Sequence, residues 1–119
     1  MNNDLISKII DCCKKREAIL AQSRSMKEYN KYYDKMCSYM RSLKDNNGEA
    51  ALLPYLDNSS VSVRFDLALL LYNSFPAVCK NILEEISKMN VESGLPKHLV
   101  IVSVAAYNNL KYGIPANFP

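Results

Sequence analysis

An all-α fold, a short right-handed stack of about three antiparallel helix pairs, is predicted by three observations. The stretch LLPYLDNSSVSVRFDLALLLYN, Leu52 to Asn73, reads as two short helices folded back on each other through a polar corner, the unit of a helical repeat. Every long periodic segment spaces its apolar residues at helical intervals, and no two segments offer strands to one another. Shifting the chain by about 35 residues places Leu67 on Val102, Phe65 on Val100 and Tyr72-Asn73 on Tyr107-Asn108, a period suited to stacked helix pairs.

The first helix is expected over residues 4–23, where Leu5, Ile9, Cys12 or Cys13, and Leu20 share a face; the second, over 27–44, repeats the theme with Tyr29, Tyr32 or Tyr33, Met36, Tyr39 or Met40, and Leu43. A short third helix, Glu49 to Leu56, ends in DNSS, a cluster that competes for backbone hydrogen bonds and supplies the cap for a fourth helix, Val61 to Asn73. Pro76 opens a fifth at a first helical position, where its missing N–H costs nothing, and Val78, Ile82, Ile86 and Met89 continue a one-sided stripe. Pro96 is assigned the same role for a sixth, running to Leu110. Its segment LVIVSVAAYNNL is β-branched enough for a buried strand, but its length, the preceding Gly-Leu-Pro and the lack of a pairing partner favour helix. Gly48, Gly94 and Gly113 punctuate these elements. The fourth and sixth helices are apolar nearly all round, so neighbours should cover them on several sides, whereas the first, second and fifth are amphipathic and should lie outside.

Residues 1–119 suffice for a single domain that buries roughly 65 to 70% of its unfolded surface without a disulfide staple. Cys12, Cys13, Cys37 and Cys79 form no CxxC pair, and the adjacent pair is poorly placed to bridge within a helix, so reduced thiols in a cytoplasmic protein are expected. The start MNNDLISKIIDCCKK lacks the pattern of a secretion signal, and no apolar run reaches the roughly 18 residues of a membrane span. Charge is uneven: ten Lys and Arg face six Asp and Glu through residue 47, and five face six beyond it. A mildly basic front of this kind favours an acidic protein or nucleic acid, but the positives are interleaved with acids and no like-charge block appears.

The stretch ALLPYLDNSSVSVRFDLAL resembles a HEAT-type repeat, with a first helix ending in Leu-x-Asp, a polar corner, and Val-Arg opening the second helix before an Ala in its packed face. More narrowly, YYDKMCSYMRSL, LLPYLD, VSVRF, ILEEI and LKYG resemble a small bacterial HEAT-like family of uncharacterised function, the domain of unknown function numbered two thousand and nineteen, over roughly Tyr29 to Gly113. The chain departs from that pattern in having Phe65-Asp66 and Tyr112 where the family carries tryptophan. In HEAT-type units the corner Asp and the next helix's Arg bind each other or exposed carbonyls across the turn. The resemblance therefore implies that Asp57 and Arg64 serve this corner.

Enzymatic chemistry has little to work with. The single histidine, His98, has no Cys or carboxylate within a helical turn and reads as a solvated helix-start residue rather than a zinc ligand or half of a nucleophile pair. Glu84 and Glu85 point about 100° apart on a helix and read as a solvated face. No phosphate loop, nucleophile elbow or HExxH occurs. The better candidate is a surface: Arg24, Lys27, Lys31 and Lys35 recur at three- and four-residue steps opposite Tyr29, Tyr33, Met36 and Met40, a basic ridge backed by aromatics in a chain with eight tyrosines. Such a ridge is a solvated face or a binding surface; a second candidate surface is the groove side of the fourth and sixth helices around Arg64, Tyr72 and Tyr107.

These readings lead to a non-enzymatic protein-binding module, cytoplasmic, without cofactor or metal, and monomeric when free. The resemblance implies an immunity protein that neutralises a cognate toxin domain, as in contact-dependent growth inhibition and other polymorphic toxin systems. Two alternatives stand beside it: a nucleic-acid-binding HEAT-like module using the same ridge, and a scaffold subunit whose apolar patch completes a larger assembly.

Overall fold

A computed structural model describes residues 2–22, 25–58, 60–115 and 118–119. Five α-helices carry the fold: α1, Asn2–Ala21; α2, Met26–Asp45; α3, Val61–Leu71; α4, Pro76–Ser87; and α5, Val100–Tyr112. Three 3-10 segments join them, Glu49–Asp57, Val91–Ser93 and Lys97–Leu99, and no strand occurs among the described residues. The chain is the all-α stack expected. α1 packs along α2 and α4 along α5, while α3 packs against the Glu49–Asp57 segment, with α1 on one side of it and α4 on the other. No helix among the described residues is long and apolar enough to cross a membrane.

Three expectations are adjusted by backbone chemistry. The predicted third helix is a 3-10 helix, Glu49–Asp57, because Pro54 inside it can neither donate an i→i−4 hydrogen bond nor accommodate the carbonyl one turn back. Pro76 does sit in the first turn of α4, but Pro96 stands outside α5: with ψ at 142° it is extended and precedes the 3-10 turn Lys97–Leu99, so α5 begins only at Val100. α1 starts two residues before the expected boundary and ends at Ala21.

The polar corner is built as DNSS predicts. Asn58 Oδ1 accepts from the Ser60 N–H at 2.8 Å, and Ser60 Oγ caps α3 by accepting from the Val63 N–H at 3.2 Å while its hydroxyl donates to Glu17 of α1. One short hydroxyl thus begins α3 and ties it to α1. Tight packing of a second corner explains Gly48: a Cβ there would come within 2.7 Å of both Asn2 Nδ2 and Leu43 Cδ1.

Side chains from all five helices merge in one core. Ile9 and Cys13 of α1, Met36, Met40 and Leu43 of α2, Leu67, Leu70 and Leu71 of α3, Leu83 and Ile86 of α4, and Val102 and Ala106 of α5 are buried together. α3 is enclosed as its composition predicts, buried at nine of its eleven positions. α5 is not. Of its residues only Val102, Ser103 and Ala106 are buried, and its outward face stands open, because α3 and α4 cover one side of it and no described helix covers the other. The 35-residue echo therefore holds at Leu67 and Val102, both in the core, and breaks at Tyr72 and Tyr107, of which the first is half-buried and the second exposed.

Candidate functional site

The basic ridge of α2 acquires a partner from α1. Lys31 and Lys35 lie one turn apart beside Tyr32, and their ammonium nitrogens stand 5.9 and 5.4 Å from its ring centroid; Lys15 of α1 reaches the same ring at 5.3 Å. One half-buried tyrosine thus gathers three cations, each within range of the negative face of the ring. Further along the same helix pair, Lys8 stands 5.6 Å from the Tyr39 ring and pairs with Asp4 at 3.2 Å. Among the described residues Lys15, Lys31 and Lys35 have no carboxylate within ion-pair distance, although Asp11 borders the shallow hollow of about 90 Å³ between Tyr32 and Tyr39. A second hollow, about 350 Å³, opens on the other side of Tyr32 between Lys15, Ile19 and Glu28.

What fixes this face lies beneath it. Arg16 is buried, its guanidinium stacked 3.9 Å from the Tyr29 ring and 5.0 Å from that of Tyr33, with Nε donating to the Tyr29 carbonyl at 3.3 Å and Nη1 donating to Asp66 Oδ1 of α3. A single side chain therefore clamps α1 to both α2 and α3. Asp66 is wholly buried, and its other oxygen, Oδ2, has no protein hydrogen-bond partner among the described residues. Burial lifts its carboxyl to about 6 against the opposing pull of Arg16, so the pair is ionised at neutral pH.

This shift carries a sign. A carboxyl whose value rises on folding contributes stability that is fully present below its unfolded value, near 3.8, and is lost as pH climbs through about 6. Measured against Asp66→Asn, which cannot titrate, the wild type is expected to lose about 1 to 3 kcal/mol of stability between roughly pH 4 and pH 7. Urea titrations of both proteins across that window check it; a gap that stays constant or widens in the wild type's favour would contradict the burial of the carboxylate.

The other predicted site residues lie on or beside α2, α3 and α5. Lys27 is exposed in the first turn of α2, where its N–H donates to Ser25 Oγ at 3.1 Å, and no described contact brings it to Tyr32. Arg24 lies outside the described residues. Arg64 is half-buried and donates to the Asn58 carbonyl at 3.1 Å, so of the two corner arrangements the chain uses the carbonyl. Asp57 lies on the same groove, about 670 Å³ in volume and floored by Leu53, Leu56, Phe75, Val78 and Ile82, but makes no ion pair with Arg64. Arg64 lines that groove, and Tyr72 and Tyr107 do not. His98 is exposed, the four cysteines are buried as free thiols, and no three His, Cys, Asp or Glu side chains among the described residues come together as a metal site.

Lys15, Arg16 and Asp66 are the residues that spacing alone did not bring forward. A signal for Arg16 was present, since it falls in register with Ile9, Cys12, Cys13 and Ile19 on the buried stripe of α1. Compared with protein-family models, curated protein sequences and solved structures, the chain matches none.

Proposed function

We propose that the chain is a non-enzymatic binding module that presents a preformed basic, tyrosine-backed face of α1 and α2 to an acidic protein, in the role of an immunity protein that occludes a toxin domain. The observation that carries this reading is the convergence of Lys15, Lys31 and Lys35 on Tyr32 without a carboxylate of their own. Like charges held that close repel one another in the free protein, and carboxylates arriving from a partner turn the repulsion into attraction. A face clamped from below by Arg16 loses little freedom on binding, which favours slow dissociation. Tyrosine supplies the amphipathic contact area typical of interfaces. On this reading the chain works in the cytoplasm, as a monomer until its partner arrives and without a cofactor, and its gene neighbours one for a large secreted protein with a toxic carboxyl-terminal domain.

The test is a triple reversal, Lys15, Lys31 and Lys35 to Glu, measured against the partner recovered from native cells. Exposed charges contribute roughly 0 to 1 kcal/mol each, so the helical spectrum and melting should barely change. The association rate should fall, and its dependence on salt should weaken or invert. Binding at the wild-type rate and affinity would make this face a merely solvated one. The same lysines would suit phosphates, and that reading makes a different forecast: nucleic acid recovered in place of protein, with sequence-selective binding that persists from about 50 to 200 mM salt, where nonspecific phosphate contacts collapse.

A further inference from the structure

On the outward face of α5, composition and environment disagree. Ile101, Val104 and Tyr107 are 46, 51 and 53% exposed, and Tyr112, one helical face further on, is 76% exposed. These positions fall within one arc of the helix, opposite the buried Val102 and Ala106. The exposed Asn108 and Lys111 share that arc, so the face is an apolar stripe set with two polar side chains, a make-up suited to cover by a partner. Beside it lies a hollow of about 370 Å³ lined by Met89, Val91 and Val100 together with the polar Asn90, Glu92 and Ser103, large enough for one bulky side chain.

The charges bordering the stripe narrow what fits. Lys97 and His98 stand exposed at its start and Lys111 at its end, where the ammonium group lies 5.9 and 5.4 Å from the Tyr107 and Tyr112 rings. No Asp or Glu follows Glu92 in the sequence. A second copy of the chain fits poorly. Pairing α5 with itself sets lysine against lysine in either direction, whereas an acidic-bordered partner meets no such repulsion.

We infer that this face docks an amphipathic α-helix from a partner protein, one with an apolar stripe at i, i+3, i+4 and i+7 and Asp or Glu at its borders. The guest helix lies along α5 as the next helix of the stack: its apolar residues cover Ile101, Val104 and Tyr107, and its carboxylates meet Lys97 and Lys111. This surface is independent of the lysine face on α1 and α2, and it stands whether or not that face binds.

The experiment uses the intact protein and two designed peptides of about 18 residues, identical in their leucine stripe but bordered by Glu in one and by Lys in the other. Backbone amide spectra at about 50 mM salt should show the Glu peptide shifting residues 100–112 and binding at least about tenfold more tightly than its Lys twin. Val104→Asp, at an exposed position that leaves the core intact, should weaken the Glu peptide by about tenfold or more, and Lys97→Glu with Lys111→Glu should reverse the preference between peptides. The triple reversal on α1 and α2 should leave peptide binding unchanged, which separates the two surfaces. The inference is overturned if the Glu peptide fails to bind at about 1 mM, if both peptides bind equally, or if Val104→Asp has no effect. It is also overturned if sedimentation shows a dimer that Val104→Asp dissolves, or if α5 responds only to phosphatidylglycerol vesicles.

Discussion

Arg16→Ala should destabilise the protein by about 3 to 5 kcal/mol, because it leaves the Asp66 carboxylate buried with no counter-charge and empties the contact above Tyr29. Against a total stability of roughly 5 to 15 kcal/mol this is enough to populate unfolded chains at physiological temperature. The damage should arise from the orphaned charge more than from the missing pair. A double replacement, Arg16→Met with Asp66→Leu, is therefore expected to lie within about 1 kcal/mol of wild type or to exceed it, since apolar side chains of similar volume relieve both desolvation penalties. Chemical denaturation of Arg16→Met, Asp66→Leu and the double variant forms a cycle. A single-variant loss below about 1 kcal/mol would mean that water reaches the pair.

The second large effect is expected in α3. Leu67→Ala removes a side chain with no exposure and neighbours on every side, so it should cost about 2 to 5 kcal/mol, with Leu71→Ala in the same range. Val104→Ala on α5 makes the contrast. It trims an aliphatic side chain from a helix of similar composition, yet with half of that side chain in solvent the change should stay within about 0.5 kcal/mol. Melting curves for the three variants test the assignment of one helix to the interior and the other to the edge. Equal losses at positions 67 and 104 would mean that α5 is enclosed after all.

That contrast also shows how far sequence reaches in this chain. Periodicity reports which faces of a helix are apolar, and it located α1 to α4 with boundaries good to a few residues; it says nothing about which apolar faces are covered. α3 and α5 read alike in composition, and only the packing separates them. The corner at DNSS was legible because capping is local: Ser60 bonds an N–H three residues away. Arg16 and Asp66 were not, because they are 50 residues apart and each sits in a segment where its type is unremarkable by itself. The lysine cluster was half legible. Lys31 and Lys35 share a helix face and announce themselves by spacing, whereas Lys15 joins them from α1 through the register of two packed helices, which no single-helix periodicity encodes. Pro54 was visible in the sequence and still gave a 3-10 helix where an α-helix was expected, since a proline's effect depends on whether tertiary packing holds the rest of the segment helical.

The amide nitrogen of Asn73, just past the end of α3, donates to the carbonyls of Pro115 and Phe118 at 3.1 and 3.0 Å, and the Phe118 ring stands 6.1 Å from that of Tyr33 in α2. Pro115 and Phe118 are thereby held against the end of α3 and, at Phe118, against α2, which closes the row of helices into a circuit. Closing it spans 42 and 45 residues at the two Asn73 bonds, so its entropic cost falls late, after the short-range pairs α1 with α2 and α4 with α5 have formed. During synthesis the Tyr33 side of α2 waits uncovered until residue 118 has emerged. Contacts at Phe118 thus join elements far apart in sequence into a single cooperative unit.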